Sequence, residues 1–139
     1  MPIVNVTLDQ TTNPWTLQVD TNPIDIPPNA NPQSIHWHLV GIARGGKFKS
    51  LTGAEPGFEW NGPSPLPFDD PTLSPKKIAL TIKDNHTNAA SKGEWPYILR
   101  IVLNGTTYRT SALTVKARAA KTKGGMGILG TQNPTIKNN

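Results

Sequence analysis

The run YILRIVLNGTTYRTSALTV, residues 97–115, alternates Tyr97, Leu99, Ile101 and Leu103 with Ile98, Arg100 and Val102 up to Asn104-Gly105. Both central residues of a two-residue hairpin turn must accept positive φ, and Asn-Gly does so at little steric cost, so the run predicts an antiparallel hairpin. The turn fixes the register as well. Leu103 should face Thr106, Ile101 should face Tyr108, and Arg100 should face Arg109. Like charges directly opposite repel, so these two arginines must splay into water or be separated by a bulge.

Similar alternation marks further strands at IVNVTL (3–8), WTLQV (15–19), IDI (24–26), SIHWHLV (34–40) and KIALTIK (77–83), with pieces around Phe48 and Phe58. Trp15, Leu17 and Val19 share one face of their strand, as do Ile78, Leu80 and Ile82 of theirs. Strands with a single apolar side need a second sheet to cover it. The 12 Gly and 14 Pro among 139 residues supply the turns between them and disfavour long helices. The expected architecture is all-β: a two-sheet sandwich of about seven to nine short strands in one domain, 1–115. A basic, Gly-containing tail at 116–139 would follow, either mobile or added as a late edge strand. The stretch 51–75 holds six prolines and suits a long ordered loop or an edge, because Pro cannot donate to a central ladder.

The absence of cysteine removes disulfides, thiolate metal sites and cysteine nucleophiles. MPIVNVTLDQ has no basic leader or signal-length apolar run, and no segment approaches the ~20 apolar residues of a membrane span, so a cytoplasmic protein without membrane contact is expected. The net charge of +5 is unevenly placed: residues 1–114 carry nine Lys or Arg against nine Asp or Glu, and 115–139 add five cations and no acid. A neutral body with a basic tail argues against a nucleic-acid surface, since phosphate binding scales with cations presented together.

His36 and His38 flank Trp37 and, on a strand, point to one face at a spacing of ~7 Å along the backbone. Two such imidazoles can share a metal, and His86, with Asp84 nearby, is the remaining histidine that could complete the three ligands a zinc or copper site needs. The competing expectation places Trp37 in the core and the imidazoles on the wet face. Asp69-Asp70, with Glu55 and Glu59, concentrates acid without a catalytic motif. RGGKFKS (44–50) lacks the Walker spacing, so Gly45-Gly46 reads as a hairpin turn flanked by Arg44, Lys47 and Lys49, which could still form an anion patch. Phe58 and Trp60 read as anchors or as aromatics on a binding rim.

With Trp37 on a main strand and Tyr97 starting the hairpin, the chain resembles an immunoglobulin-like Greek-key sandwich, in which a tryptophan packs beneath a tyrosine corner. Leu99 stands where the disulfide-linked members carry cysteine. IHWH is similar to the His-Trp-His-Gly segment of multicopper oxidases, whose cupredoxin domains are Greek-key sandwiches too; here Leu39 replaces the glycine. The tryptophan strand, Glu55-Pro56 and YILRIVLNGTTY resemble the small bacterial proteins of the DP-EP family, whose Asp-Pro element would fall at Asp70-Pro71 or be replaced by Asn133-Pro134. None of these resemblances supplies an activity.

The expectation is therefore a non-enzymatic module, without a cofactor, that binds a protein partner or self-associates, using Phe58, Trp60, Arg44, Lys47 and Lys49. The alternative is a cupredoxin-like metal-binding domain using His36, His38 and His86.

Overall fold

Strand alternation along the chain decides which side chains meet, and the computed structural model, which describes residues 2–62, 67–110 and 134–139, shows the outcome. The strands are β1 (Ile3–Asp9), β2 (Thr16–Val19), β3 (Ile24–Ile26), β4 (Gln33–Leu39), β5 (Lys47–Phe48), β6 (Phe58–Trp60), β7 (Thr72–Leu73), β8 (Ala79–Asp84), β9 (Gly93–Leu103), β10 (Thr106–Arg109) and β11 (Thr135–Asn138). Two short 3-10 helices, Gly41–Gly45 and Ala89–Ser91, complete the described elements. Among the described residues no helix is long and apolar enough to cross a membrane.

The result is an all-β sandwich of two mixed sheets. One sheet has the order β2-β1-β4-β8-β7, with β1 and β4 parallel. The other follows β10-β9-β11-β3, with β5 and β6 also on β9 and with β11 and β3 parallel. Val4, Val6, Ile35, Trp37, Leu80 and Ile82 from the first sheet meet Ile24, Ile26, Tyr97, Leu99, Ile101 and Ile136 from the second, all essentially without solvent exposure. Strands of period two send these residues to one side and leave their neighbours outside.

At the centre Trp37 Nε1 donates to Tyr97 Oη at 3.0 Å across the two sheets. Their rings meet edge-on at 5.3 Å, and Phe58 stacks on Tyr97 at the same separation. Burial pushes the Tyr97 phenol above its ordinary range, so it stays neutral and offers a lone pair to the indole.

The hairpin has the expected register, with Leu103 opposite Thr106, Ile101 opposite Tyr108 and Arg100 opposite Arg109, and both Asn104 and Gly105 have positive φ. The arginines are parted neither by water on both sides nor by a bulge. Arg100 is buried and gives Nη1 to Glu59 Oε1 at 2.7 Å and to the Pro56 carbonyl at 3.2 Å, whereas exposed Arg109 turns its Nε to the Thr110 carbonyl. A carboxylate from β6 thus removes the repulsion.

Backbone bonds show how β9 serves two edges. Leu99 O accepts from Thr110 N, and Tyr97 N donates to Pro134 O, so these odd positions face β10 and β11. Arg100 instead bonds Gly57 O and Lys49 N on the opposite edge. β10 and β11 consequently lie end to end along one side of β9, and β5 and β6 along the other. Gly57 is needed where its loop passes β5: a Cβ there would stand 2.3 Å from Lys49 O.

Three expectations change. The last residues of the tail do not form an edge strand: β11 lies between β9 and β3, with Ile136 fully buried, because it fills the β9 edge beyond the hairpin. The rest of that expected tail, 116–133, lies outside the described residues. Gly45-Gly46 is not a hairpin turn; Gly41–Gly45 is a 3-10 crossover carrying the chain from β4 in one sheet to β5 in the other. Strands exceed the expected seven to nine because β7 forms a two-residue edge and β11 enters the interior.

Replacing Tyr97 with Phe strands the indole N–H of Trp37 in the core, a loss of about 1–3 kcal/mol. Denaturant unfolding should show it, and Trp37→Phe combined with Tyr97→Phe should cost less than the sum of the two single changes because the broken bond is shared.

Candidate functional site

Residues 36–38 divide as alternation requires. Trp37 is fully buried, and His36 and His38 lie half-buried on the outer face, ring centroids 6.3 Å apart and edge-on. Their neighbours are Ile3 and Asn5 on β1 and Thr81 and Ala79 on β8. His36 Nδ1 shares a 3.0 Å hydrogen bond with Thr81 Oγ1, and its enclosed Nε2 has no protein partner. Burial, with His38 adding to it, pushes the His36 imidazole below its ordinary value of 6.5.

His86 is not brought to this pair. Thr81 is the residue opposite His36, and His86 stands five positions further along, about 16 Å in extended chain. Its ring is buried with both nitrogens engaged: Nε2 donates to Asn139 O at 2.7 Å, and Nδ1 meets Ser91 Oγ at 2.7 Å. Among the described residues no group of three or more His, Asp or Glu could hold a metal ion. His36 and His38 alone fall short of the three protein ligands that zinc and copper sites normally use.

The other candidates also separate. Phe58 is a core residue, 5% exposed and packed on Trp37 and Tyr97, so it cannot form a binding rim. Trp60 is half-buried between Phe58 and Phe68, and Phe68 leads on to Trp95. The acids do not converge. Glu59 holds Arg100, Glu55 lies 3.7 Å from Lys49, and exposed Asp69 accepts from Asn85.

Arg44 and Lys47 do belong to one surface feature. β4 ends at Leu39, and the 3-10 crossover after Val40 buries Ala43 while turning Arg44 outward. Opposite it, the chain between β7 and β8 folds back through a tight turn: Lys77 N donates to Ser74 O, Ser74 N to Ala79 O, and Ala79 N to Ser74 Oγ. Two backbone bonds, Leu39 N to Ile78 O and Phe48 N to Lys77 O, bring turn and crossover together.

Between them runs a groove. One part, about 440 Å³, is lined by the apolar Leu39, Val40, Pro75, Ile78 and Ala79 together with polar residues that include His38, Arg44 and Lys76. An adjoining part of about 520 Å³ shares Arg44, Pro75, Lys76 and Ile78 and continues past Gly45 and Gly46 to Lys47. No acid lines either part, and Arg44, Lys47 and Lys76 are all exposed. Lys49, grouped with Arg44 and Lys47 in the sequence, faces Glu55 instead. Sequence reading missed Lys76 and Ile78; the adjacent Pro75-Lys76-Lys77 was a signal of an exposed cationic turn, but not of what it would face.

The lowered affinity of His36 for protons has a defined sign. A histidine depressed on folding contributes stability above the unfolded value of 6.5, and this is lost as pH falls through the folded value. Two-dimensional NMR of the imidazole protons should therefore find His36 titrating below 6.5.

No protein-family profile matches the chain, and no curated protein or solved structure gives a significant match.

Proposed function

We propose that the protein is a non-enzymatic binding module that takes an extended acidic and partly apolar segment of a partner protein in the groove between the Gly41–Gly45 crossover and the β7–β8 turn. The observation that carries this reading is the disposition of charge: Arg44 and Lys76 line both clefts, the first of them mainly apolar, Lys47 lines the second, and among the described residues no acid lines either. The two clefts share Arg44, Pro75, Lys76 and Ile78, so a single extended segment would reach both. Apolar side chains of the segment would cover Val40, Pro75 and Ile78, which keep exposed surface, and its carboxylates would meet the cations.

Exposed ion pairs contribute about 0.2–1 kcal/mol each, and reversing a charge replaces attraction with repulsion. Arg44→Glu combined with Lys76→Glu should therefore weaken binding of a Leu- and Glu-containing peptide by about tenfold. Fluorescence anisotropy at low salt measures it, and added salt should shrink the difference. Equal binding of a Lys-containing counterpart, or no effect of the double reversal, would remove the reading.

A further inference from the structure

The last residue of β8, Asp84, and the last of β11, Asn138, bring the two sheets together in a buried polar contact. Both side chains are essentially enclosed, at 0% and 2% exposure. Asn138 Nδ2 donates to Asp84 Oδ1 at 3.1 Å and to Ser91 O at 2.9 Å, which uses both of its N–H bonds. Two atoms are left over, Asp84 Oδ2 and Asn138 Oδ1, both buried and without a partner among the described residues. An ionised carboxylate and a carboxamide oxygen can only accept, so as a carboxylate Asp84 leaves two enclosed acceptors on bonded neighbours with no donor for either.

A single proton resolves both. A carboxylic acid beside a carboxamide can form a cyclic pair, in which the amide N–H donates to one acid oxygen and the acid O–H donates back to the amide oxygen. We propose that Asp84 carries a proton in the folded protein, donates it to Asn138 Oδ1, and so latches β11 into the sandwich, and that loss of this proton loosens β11 from its place between β9 and β3.

The surroundings agree with a neutral acid. Burial raises the Asp84 carboxyl to about 6 from its ordinary 3.8, against the lowering influence of the Asn138 hydrogen bond and of His86. Gln33 lies opposite Asp84 on β4, Phe68 bridges to it from the segment before β7, and Ser91 and Asn138 come from the remaining neighbours; none of these is charged. His86 is the titratable group facing it, and its Nε2 proton is directed at Asn139 O. Asp69 is turned outward to Asn85, and Lys92, Glu94 and Lys137 line the cleft beside Asn138 rather than the acid.

The sign follows from proton counting. Between about 3.8 and about 6 the folded chain binds a proton that the unfolded chain has released. Stability from the latch is fully present at the acid end of that interval and is lost as pH rises through about 6, beyond which no further loss occurs.

Hydrogen exchange of the full chain, corrected for intrinsic exchange rates, tests the latch at the amides of Ile136 and Lys137. Their protection should fall about tenfold or more between pH 5 and pH 8, because the full separation of the two proton affinities corresponds to about a hundredfold change. Asp84→Asn keeps the shape and supplies a permanent donor, so its β11 protection should be high and equal at both pH values. Protection in the wild type that ignores pH, or a variant that follows the wild-type fall, would overturn the proposal. If the variant does not fold, the carboxyl-carbon shift of Asp84 in the wild type decides: a midpoint near 6 supports the latch, and one near 4 refutes it.

Discussion

The hydrogen bond from the Trp37 indole to the Tyr97 phenol is the constraint on which the sandwich depends. An indole N–H can only donate, and enclosed in a core it needs an acceptor that does not itself bring charge inside. Neutral Tyr97 meets that need from the facing sheet, and Phe58 fills the space against both rings. The contact joins the third strand of the five-stranded sheet to the strand that all of β5, β6, β10 and β11 share. Once Trp37 is turned inward, period-two geometry sends His36 and His38 outward and turns Leu39 in again at the end of the strand, beside the crossover. The groove is thus placed by the same alternation that builds the core.

Much of this was readable because it is local. The hairpin register followed from Asn104-Gly105 alone, and the inward Trp37 followed from its apolar neighbours Ile35 and Leu39. What local pattern could not show is which distant segment fills an edge. Continued in the hairpin's register, the sequence after Thr110 would place Leu113 opposite Pro96 and Val115 opposite Glu94; Thr135 and Lys137 hold those positions instead. The two segments, Leu113-Thr114-Val115 and Thr135-Ile136-Lys137, have similar β-forming character, so propensity does not choose between them. Contacts beyond the ladder do, since Ile136 enters the core, Asn138 reaches Asp84, and β3 pairs on the far side. Arg100 teaches the same lesson. Its repulsion from Arg109 was visible in the register, but the relieving carboxylate came from 41 residues away.

The candidate groove was half visible for a related reason. Arg44 and Lys47 announced themselves by proximity in sequence, whereas Lys76 joins them only through the backbone bonds that tie Ile78 to Leu39 and Lys77 to Phe48. The metal expectation failed at His86 because strand pairing sets distances that composition does not: residues on the same strand as Thr81 move away from His36 at about 3.3 Å per position. Of the two roles open to Phe58, anchor and rim, pairing of its three-residue strand with β9 selects the anchor, a long-range contact that the surrounding Pro-rich stretch does not disclose.

The groove and the Asp84 pocket place ionisable groups in opposite circumstances, and this determines what each can do. Arg44, Lys47 and Lys76 are exposed and have no partner among the described residues, so the free protein bears little penalty for holding them together, and an arriving carboxylate would gain only a modest attraction per pair. A partner bound there as proposed would draw much of its strength from covering Val40, Pro75 and Ile78 and would be selected through the cations. Asp84 has no such recourse to water. Enclosed by two sheets, it must either take a proton or leave acceptors unsatisfied among the described residues, and through the proposed latch a change of one proton would act on the placement of an entire strand. Exposed charge therefore suits recognition in this fold, and buried charge suits control of its own architecture.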